Sequence, residues 1–223
     1  MTAPNAINYL NLGGFVINCF VTFGASPIFG FPDNGTLSNK YQTIITPAGW
    51  AFVIWGVIFL FQGIFTVVQM IPKYASLPMI QKGVHIWFFV VCVAQSAWTF
   101  LFGYEQIVAS AIAMLCILSG LLVILCRQTA ADLSDGSLFE FWLLRFPFSI
   151  HGGWIVAASA VNINVISVFR GVGASTQLAF AGFGFLWVAL FSIAFTFIGR
   201  NPNYSIPVST FVMFYLLRRV NVE

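Results

Sequence analysis

Aromatic and amide side chains recur at helical spacing along one apolar segment of the sequence, residues 46–69. Residues three and four apart lie on the same face of a helix. One such face holds Phe52, Trp55, Phe59, Gln62, Thr66 and Gln69. Flat rings can stack on a flat molecule and amides can hydrogen bond to it, which is the usual make-up of a small-molecule site. The segment therefore suggests one wall of an aromatic pocket.

Two further apolar segments repeat this pattern, each with a histidine. One face holds His85, Phe88, Cys92, Gln95, Thr99 and Phe102, and the other holds Pro147, His151, Trp154, Ala158 and Asn162. Polar groups at membrane depth are costly and normally face the interior of a helix bundle. We therefore predict three inward faces that enclose an aromatic-walled cavity. The same amides could instead serve only to join helices, and this alternative stays open.

The imidazole of His151 lies well inside an apolar segment and allows two interpretations. It could form a structural hydrogen bond, or it could serve a ligand by relaying a proton or by binding the magnesium or iron of a tetrapyrrole. His85 lies close to a predicted helix start, where we expect it to be interfacial.

None of the usual arrangements of catalytic residues occurs in the sequence. It has no Ser-His-Asp set, no paired carboxylates near a plausible pocket, no His-x-x-x-His and no Gly-rich phosphate loop. The cysteines form no Cys-x-x-Cys pair, so they predict neither a disulfide framework nor a zinc site. We expect a protein that is not an enzyme and has no metal site of its own.

The composition places these faces on membrane-spanning helices. Only 7% of the 223 residues are charged, against about 25% in soluble domains. The net charge of +3 is too small and dispersed to suggest nucleic acid. A span needs about 20 apolar residues. The candidates are 10–31, 47–71, 83–103, 106–126, 139–169, 176–198 and 204–217.

The predicted fold is an all-α integral membrane protein, a bundle of about seven transmembrane helices that forms a single domain over 1–223. Organellar and bacterial inner membranes both fit. The turn around Tyr104 and Glu105 is so short that the helices on either side must form an antiparallel hairpin. We expect Glu105 to be solvated there.

Three of the segments resemble motifs of the TspO/MBR family, the tryptophan-rich sensory proteins related to the translocator protein. The residues that match are Pro47, Trp50, Phe52, Trp55 and Phe59 in the second helix, Gln95, Trp98, Thr99 and Phe102 in the third, and Trp154, Ala157, Ala158, Val161 and Asn162 in the fifth. Ala48 stands in place of the second proline of the motif. The spacing from Trp50 to Trp55 is one residue shorter than in the family, which rotates one Trp by about 100°.

The resemblance covers about residues 10–170 and is closest to the longer variant with extra C-terminal helices. It implies a TspO-like five-helix core over 10–170 and two additional helices in 171–223. Family members bind flat hydrophobic molecules, notably porphyrins and sterols, so the resemblance implies binding or transport of such a ligand. The implied ligand-binding residues are Trp50, Phe52, Trp55, Gln95, Trp98, Trp154, Ala158 and Asn162. We add His151 as a possible ligand of a tetrapyrrole metal, in which case the cofactor would be a porphyrin or a chlorophyll.

A second hypothesis is a non-catalytic accessory subunit of a larger membrane complex. In a photosynthetic complex, for example, the pocket would hold lipid or pigment, and His151 and His85 could bind chlorophyll magnesium. The 26 Phe residues suit helix docking as well as they suit lipid. Membrane lipids are partners under either hypothesis, and a homodimer or a larger assembly is possible under both.

Overall fold

The computed structural model describes residues 3–131 and 137–198, with side chains through residue 194, and every regular element in these residues is helical. The α-helices are α1 (Ala6–Phe29), α2 (Asn34–Lys40), α3 (Gly49–Val68), α4 (Trp87–Gly103), α5 (Ile107–Ala131), α6 (Leu138–Phe169) and α7 (Ala174–Ile198). A short π-helix, Met79–Val84, lies between α3 and α4. The first turns of α3, over Gly49–Val53, are 3-10 helix, and α6 includes a π-helical turn at Phe141–Arg145.

Five of these helices, α1, α3, α5, α6 and α7, are long and apolar enough to cross a membrane. The apolar α4 has 17 residues, which is at the short end of the range for a span, about 17–25 residues. The chain is therefore an integral membrane protein with an all-α fold, as the composition predicted. The seventh predicted span, 204–217, lies outside the described residues.

Five helices form a closed ring. Going around it, α1 packs on α4, α4 on α5, α5 on α6, α6 on α3, and α3 again on α1. Helix α7 packs on the outer side of α6. The sequence identified the helices, but their order around the ring arises from contacts between distant segments.

The short turn between α4 and α5 produces the predicted antiparallel hairpin. Glu105 makes this turn with a φ of 58°, a left-handed conformation that residues other than glycine adopt infrequently. Further along, Gly120 of α5 lies so close to Val91 of α4 that an added Cβ would be 2.7 Å from a Val91 methyl. Small residues permit such close approach of membrane helices.

Three buried phenylalanines fill the middle of the ring. Phe65 of α3, Phe88 of α4 and Phe148 of α6 meet edge to face, with ring centroids 4.8–5.6 Å apart. We call this the phenylalanine layer. It separates an amide-rich end of the bundle from an aromatic end.

The amide-rich end is built on α1, where no polar face was predicted. Asn8 Nδ2 donates to the Gln69 carbonyl (3.1 Å), and Asn11 Nδ2 donates to the His85 carbonyl (2.9 Å). Asn11 Oδ1 also accepts from the Phe89 backbone N–H (3.1 Å). A side chain of α1 therefore satisfies a free N–H at the start of α4, as a helix cap does. His85 lies just before this start, with a φ of 47°.

At the other end lies the short helix α2, which was not among the predicted helices. Asp33 caps the helix, because its Oδ1 accepts from the Thr36 N–H (2.8 Å). Leu37 is fully buried and belongs to the main hydrophobic core. One good N-cap and one buried leucine thus hold this short helix against the bundle.

Candidate functional site

A cavity lies inside the ring, on the side of the phenylalanine layer nearer α2. Its walls come from α2 to α6 and contain aromatic rings, small residues and few polar atoms. The lining residues are Asn34, Ser38, Pro47, Phe52, Trp55, Trp98, Phe102, Met114, Trp154, Ala157, Ala158, Val161, Asn162 and Val165. We call this the aromatic cavity.

The rings of the aromatic cavity contact one another both edge to face and in a parallel stack. Trp154 meets Phe52 and Trp55 edge to face, both at 6.0 Å between centroids. Trp98 and Phe102 stack nearly parallel, with centroids 5.3 Å apart and planes 10° apart. Because Phe52 and Trp55 are three residues apart on α3, they share one helix face. Flat faces and edges therefore line the same space.

Two polar groups on the cavity wall have no partner in the protein. The indole Nε1 atoms of Trp98 and Trp154 are both buried and make no hydrogen bond. Buried indole N–H groups usually find an acceptor. Two unpaired donors in an apolar wall are complementary to an acceptor oxygen of a bound molecule.

Asn162 adds a polar group deeper in α6. Its Oδ1 lies 3.4 Å from the Ser110 hydroxyl of α5, a long hydrogen bond by the usual distances. The Asn162 amide, which was predicted to face inward, therefore lies on the cavity wall, and its oxygen accepts only a weak hydrogen bond from Ser110.

The aromatic cavity has a volume of about 50 Å³. Sites for drug-sized molecules usually enclose about 300 Å³ or more. The structure is therefore a closed form, and any large ligand requires that the walls or the roof move.

The roof is α2, which contributes Asn34 and Ser38. Its C-terminal end is attached to the α4–α5 turn: Lys40 Nζ lies 2.5 Å from Glu105 Oε2, and the Tyr41 hydroxyl donates to the same oxygen. The Glu105 side chain is 33% exposed, in line with the solvation expected for it, and the ring order adds the ion pair by bringing α2 above this turn. We call these three residues the latch.

The latch shifts the ionisation of its members, all of which lie outside the spans. Hydrogen bonds from Lys40 and then Tyr41 lower the pKa of the Glu105 carboxyl. The hydrogen bond to Glu105 raises the pKa of Lys40. Burial, with the same carboxylate, raises the pKa of Tyr41. At neutral pH the latch is therefore an ion pair with a neutral tyrosine.

A buried polar pair lies beside the cavity. Gln62 Nε2 of α3 is 2.8 Å from His151 Nδ1 of α6, and neither side chain is exposed. The Trp55 ring lies 5.7 Å from the imidazole. His151 Nε2 and Gln62 Oε1 have no partner.

The structure brings six of the nine predicted ligand-binding residues together on the cavity wall. They are Phe52, Trp55, Trp98, Trp154, Ala158 and Asn162. Their role in binding stays a prediction.

Trp50 is placed elsewhere, and its assignment to the pocket is corrected. Its side chain is 52% exposed and does not line the cavity. Trp50 lies in the 3-10 turn that begins α3, five residues before Trp55. In an α-helix that spacing would separate the two rings by about 140° around the axis. The two rings therefore lie on different sides of α3, and only Trp55 faces the cavity.

Gln95 and His151 are buried but lie outside the cavity lining. Gln95 is one helical turn closer to the start of α4 than Trp98, and His151 is one turn before Trp154 on α6. Both are therefore nearer the phenylalanine layer than the cavity is. A role for His151 as a ligand of a tetrapyrrole metal stays a prediction.

Several lining residues were not selected from the sequence. Asn34 and Ser38 belong to the unpredicted α2, while Met114 and Val165 carry no polar or aromatic signal that separates them from packing residues. Phe102 was on a predicted inward face, and its spacing of four residues from Trp98 would have justified including it.

Two surface clefts follow the seam between α1 and α3. The larger, about 860 Å³, shares Asn34, Phe52 and Trp55 with the aromatic cavity. The other, about 620 Å³, is an apolar groove that contains Phe15 and Phe59. The first cleft is thus separated from the cavity by the two rings of α3 and the start of α2.

Among residues 3–131 and 137–198, no three His, Cys, Asp or Glu side chains come together in a way that could hold a metal ion.

Comparison with known proteins agrees with the resemblance seen in the Trp-rich motifs. The family model described as TSPO-like protein matches residues 8–209. This match includes α7, which lies beyond the five-helix ring. No curated protein and no solved structure matches the chain. The family model matches most of the chain, and the helical ring and the aromatic cavity agree with it. The chain therefore belongs to the family of TSPO-like proteins.

Proposed function

We propose that this protein binds, and carries within the membrane, a flat hydrophobic ligand with a hydrogen-bond acceptor, without catalysing a reaction. Tetrapyrroles and sterols are the ligand classes that fit this description. The observation that carries the proposal is the pair of unpaired indole donors, Trp98 and Trp154, on the wall of an otherwise aromatic cavity.

The cavity offers the two kinds of contact that such a ligand needs. Aromatic faces and edges pack against a flat ring system. An acceptor oxygen of the ligand would take the indole N–H groups, whose burial without a partner otherwise costs about 1–3 kcal/mol each. A tetrapyrrole would supply a flat ring and carboxylate acceptors.

The size of the ligand demands an opening. The closed cavity of about 50 Å³ cannot hold a tetrapyrrole. The cleft along the α1–α3 seam meets the cavity at Phe52 and Trp55, so a change in these two rings would join both spaces. We propose that ligand enters from the lipid at this seam.

The first experiment is a visible absorption spectrum of protein purified gently from its native membrane, with mass spectrometry of the extracted ligands. A stoichiometric porphyrin or chlorophyll would support a tetrapyrrole site. A colourless preparation that contains only lipid and always co-purifies with other subunits would favour the accessory-subunit hypothesis.

A binding titration then tests the cavity itself. Ala158 lines the cavity, and Ala158→Phe should fill it and abolish saturable binding of protoporphyrin IX. Ala189 is exposed on α7, so Ala189→Phe is a matched control that should bind as the wild type does. If Ala158→Phe binds with unchanged affinity, the cavity is not the site.

A further inference from the structure

The buried pair Gln62–His151 has hydrogen-bonding capacity that the protein does not use. One hydrogen bond, 2.8 Å long, joins the amide to Nδ1 of the imidazole. The other amide atom and His151 Nε2 are buried and have no partner. Unpaired polar atoms are rare in protein interiors, and here two belong to one pair.

The pair leaves one hydrogen-bond donor and one acceptor free whichever way the Gln62 amide is oriented. A neutral imidazole has one donor and one acceptor, and an amide has both. If the amide nitrogen donates to Nδ1, a donor remains on His151 and an acceptor on Gln62. If the amide is reversed, the acceptor remains on His151 and a donor on Gln62. In both cases at least one donor and one acceptor are free.

That combination distinguishes among ligand groups. A hydroxyl both donates and accepts, so it can satisfy both free atoms. A carboxylate only accepts and an ammonium only donates, so each leaves one buried atom of the pair unpaired. Both also bring a charge into an apolar interior, at a much higher cost than a neutral group.

The pair lies directly behind one wall of the aromatic cavity. Trp55 lines the cavity, and its ring is 5.7 Å from the imidazole and 6.0 Å from the Trp154 ring. Trp55 also borders the open cleft at the α1–α3 seam. Movement of Trp55 would therefore connect the cavity with the polar pair, and movement of Phe52 as well would open both to the cleft.

We infer that Gln62 and His151 form a polar subsite at the inner end of the cavity, which binds a neutral hydroxyl group of the ligand once Trp55 moves aside. This inference rests on the proposed function and narrows it. The preferred ligand has a flat apolar body with a hydroxyl at one end. Its body packs among the rings of the cavity, and its hydroxyl takes the free donor and acceptor of the pair.

Two fluorescent probes that differ only in the hydroxyl test this. 1-Pyrenemethanol and 1-methylpyrene share the same flat ring and nearly the same size. Binding to the full chain in nanodiscs is followed by energy transfer from tryptophan to pyrene, and the signal from partition into protein-free nanodiscs is measured separately. The wild type should bind the alcohol more tightly than the hydrocarbon by roughly 3- to 10-fold, the effect of a neutral hydrogen bond.

The double variant Gln62→Leu/His151→Phe removes both polar partners together, which avoids leaving one buried and unpaired. It should bind 1-methylpyrene as the wild type does and lose the preference for the alcohol. Thr66→Val is the matched control. Thr66 is buried one turn along α3, and its hydroxyl is already bonded to the Gln62 carbonyl (2.7 Å). This control should keep the preference.

Each outcome has a defined meaning. Equal affinity for the two probes in the wild type, which requires no variant, overturns the subsite and leaves the proposed function standing. A preference that persists in the double variant also overturns it. Failure of both probes to bind saturably counts against the aromatic cavity as a site, and the subsite fails with it.

Discussion

Replacing Trp154 by phenylalanine separates a binding role from a packing role. Trp154 is buried, lines the aromatic cavity and meets Phe52 and Trp55 edge to face. Its indole N–H has no partner in the free protein. Trp154→Phe removes that N–H and keeps an aromatic ring that can pack against Phe52 and Trp55.

Two opposing terms act on the stability of the free protein. Loss of an unpaired buried donor removes a penalty of about 1–3 kcal/mol. The smaller ring leaves a gap that costs about 1–2 kcal/mol, by comparison with other large-to-small core changes. We therefore expect the free energy of unfolding to fall by no more than about 1 kcal/mol and to rise by no more than about 2 kcal/mol, since the two terms oppose each other.

Ligand affinity should change in one direction only. If the indole donates to an acceptor on the ligand, its removal costs a hydrogen bond of about 0.5–1.5 kcal/mol, or roughly 3- to 10-fold in Kd. Protoporphyrin IX binding by absorbance titration gives the Kd, and thermal unfolding in detergent gives the stability. Trp142→Phe is the matched control, because Trp142 is on the same helix but 45% exposed and outside the cavity lining.

The reasoning would be refuted by a Trp154→Phe protein that loses stability and keeps its Kd. That result would show that the ring serves packing alone. An effect of equal size in Trp142→Phe would show that the titration does not report on the cavity.

Three further predictions concern the roof and the amide-rich end. Glu105→Gln should weaken the latch and speed hydrogen exchange of the α2 amides at pH 7. In the wild type, the stabilisation of α2 by the Glu105 carboxylate is fully present above the ordinary pKa of a carboxyl group. The protection that the carboxylate gives to the α2 amides should disappear only as the pH falls through the lowered pKa of Glu105. If the exchange rate of these amides, corrected for intrinsic rates, does not change with pH down to strongly acidic buffer, the prediction is wrong. Leu37→Ala should destabilise α2 by about 2–5 kcal/mol, and stopped-flow release of protoporphyrin should be faster than from the wild type. Asn11→Ala should leave buried backbone groups unpaired at about 1–3 kcal/mol each and lower the melting temperature more than Asn18→Ala. The Asn18 amide oxygen accepts long hydrogen bonds of 3.3–3.4 Å from side-chain hydroxyls, those of Thr22 and Ser96, instead of capping a backbone group.

Much of the cavity wall could be predicted because its signal is local. The spacing of Phe52 and Trp55, and of Trp154 and Ala158, places each pair on one helix face whatever surrounds it. The polarity of Asn162 at membrane depth indicates an inward position. Trp50 is placed outside the cavity lining, since its position in the 3-10 start of α3, five residues before Trp55, puts the two rings on different sides of the helix.

Other parts of the site had no local signal strong enough to identify them. The short α2 depends on burial of Leu37 by helices distant in sequence. The latch depends on Lys40 and Glu105, which are 65 residues apart and become neighbours only in the folded ring. The amides of α1 recur every three residues, yet their partners at Gln69 and His85 could not be known before the ring order was.

The sequence alone determined that the chain is a helical membrane protein, where most of its helices lie and, for three of them, which face carries rings and amides. These properties follow from composition and from the period of the helix, which depend only on neighbouring residues. Tertiary structure alone decided the order of helices around the ring, the closed size of the cavity, the roof of α2 and the pairing of Gln62 with His151. Each of these depends on which distant faces meet, and contacts between faces are set by packing of the whole bundle rather than by any one segment.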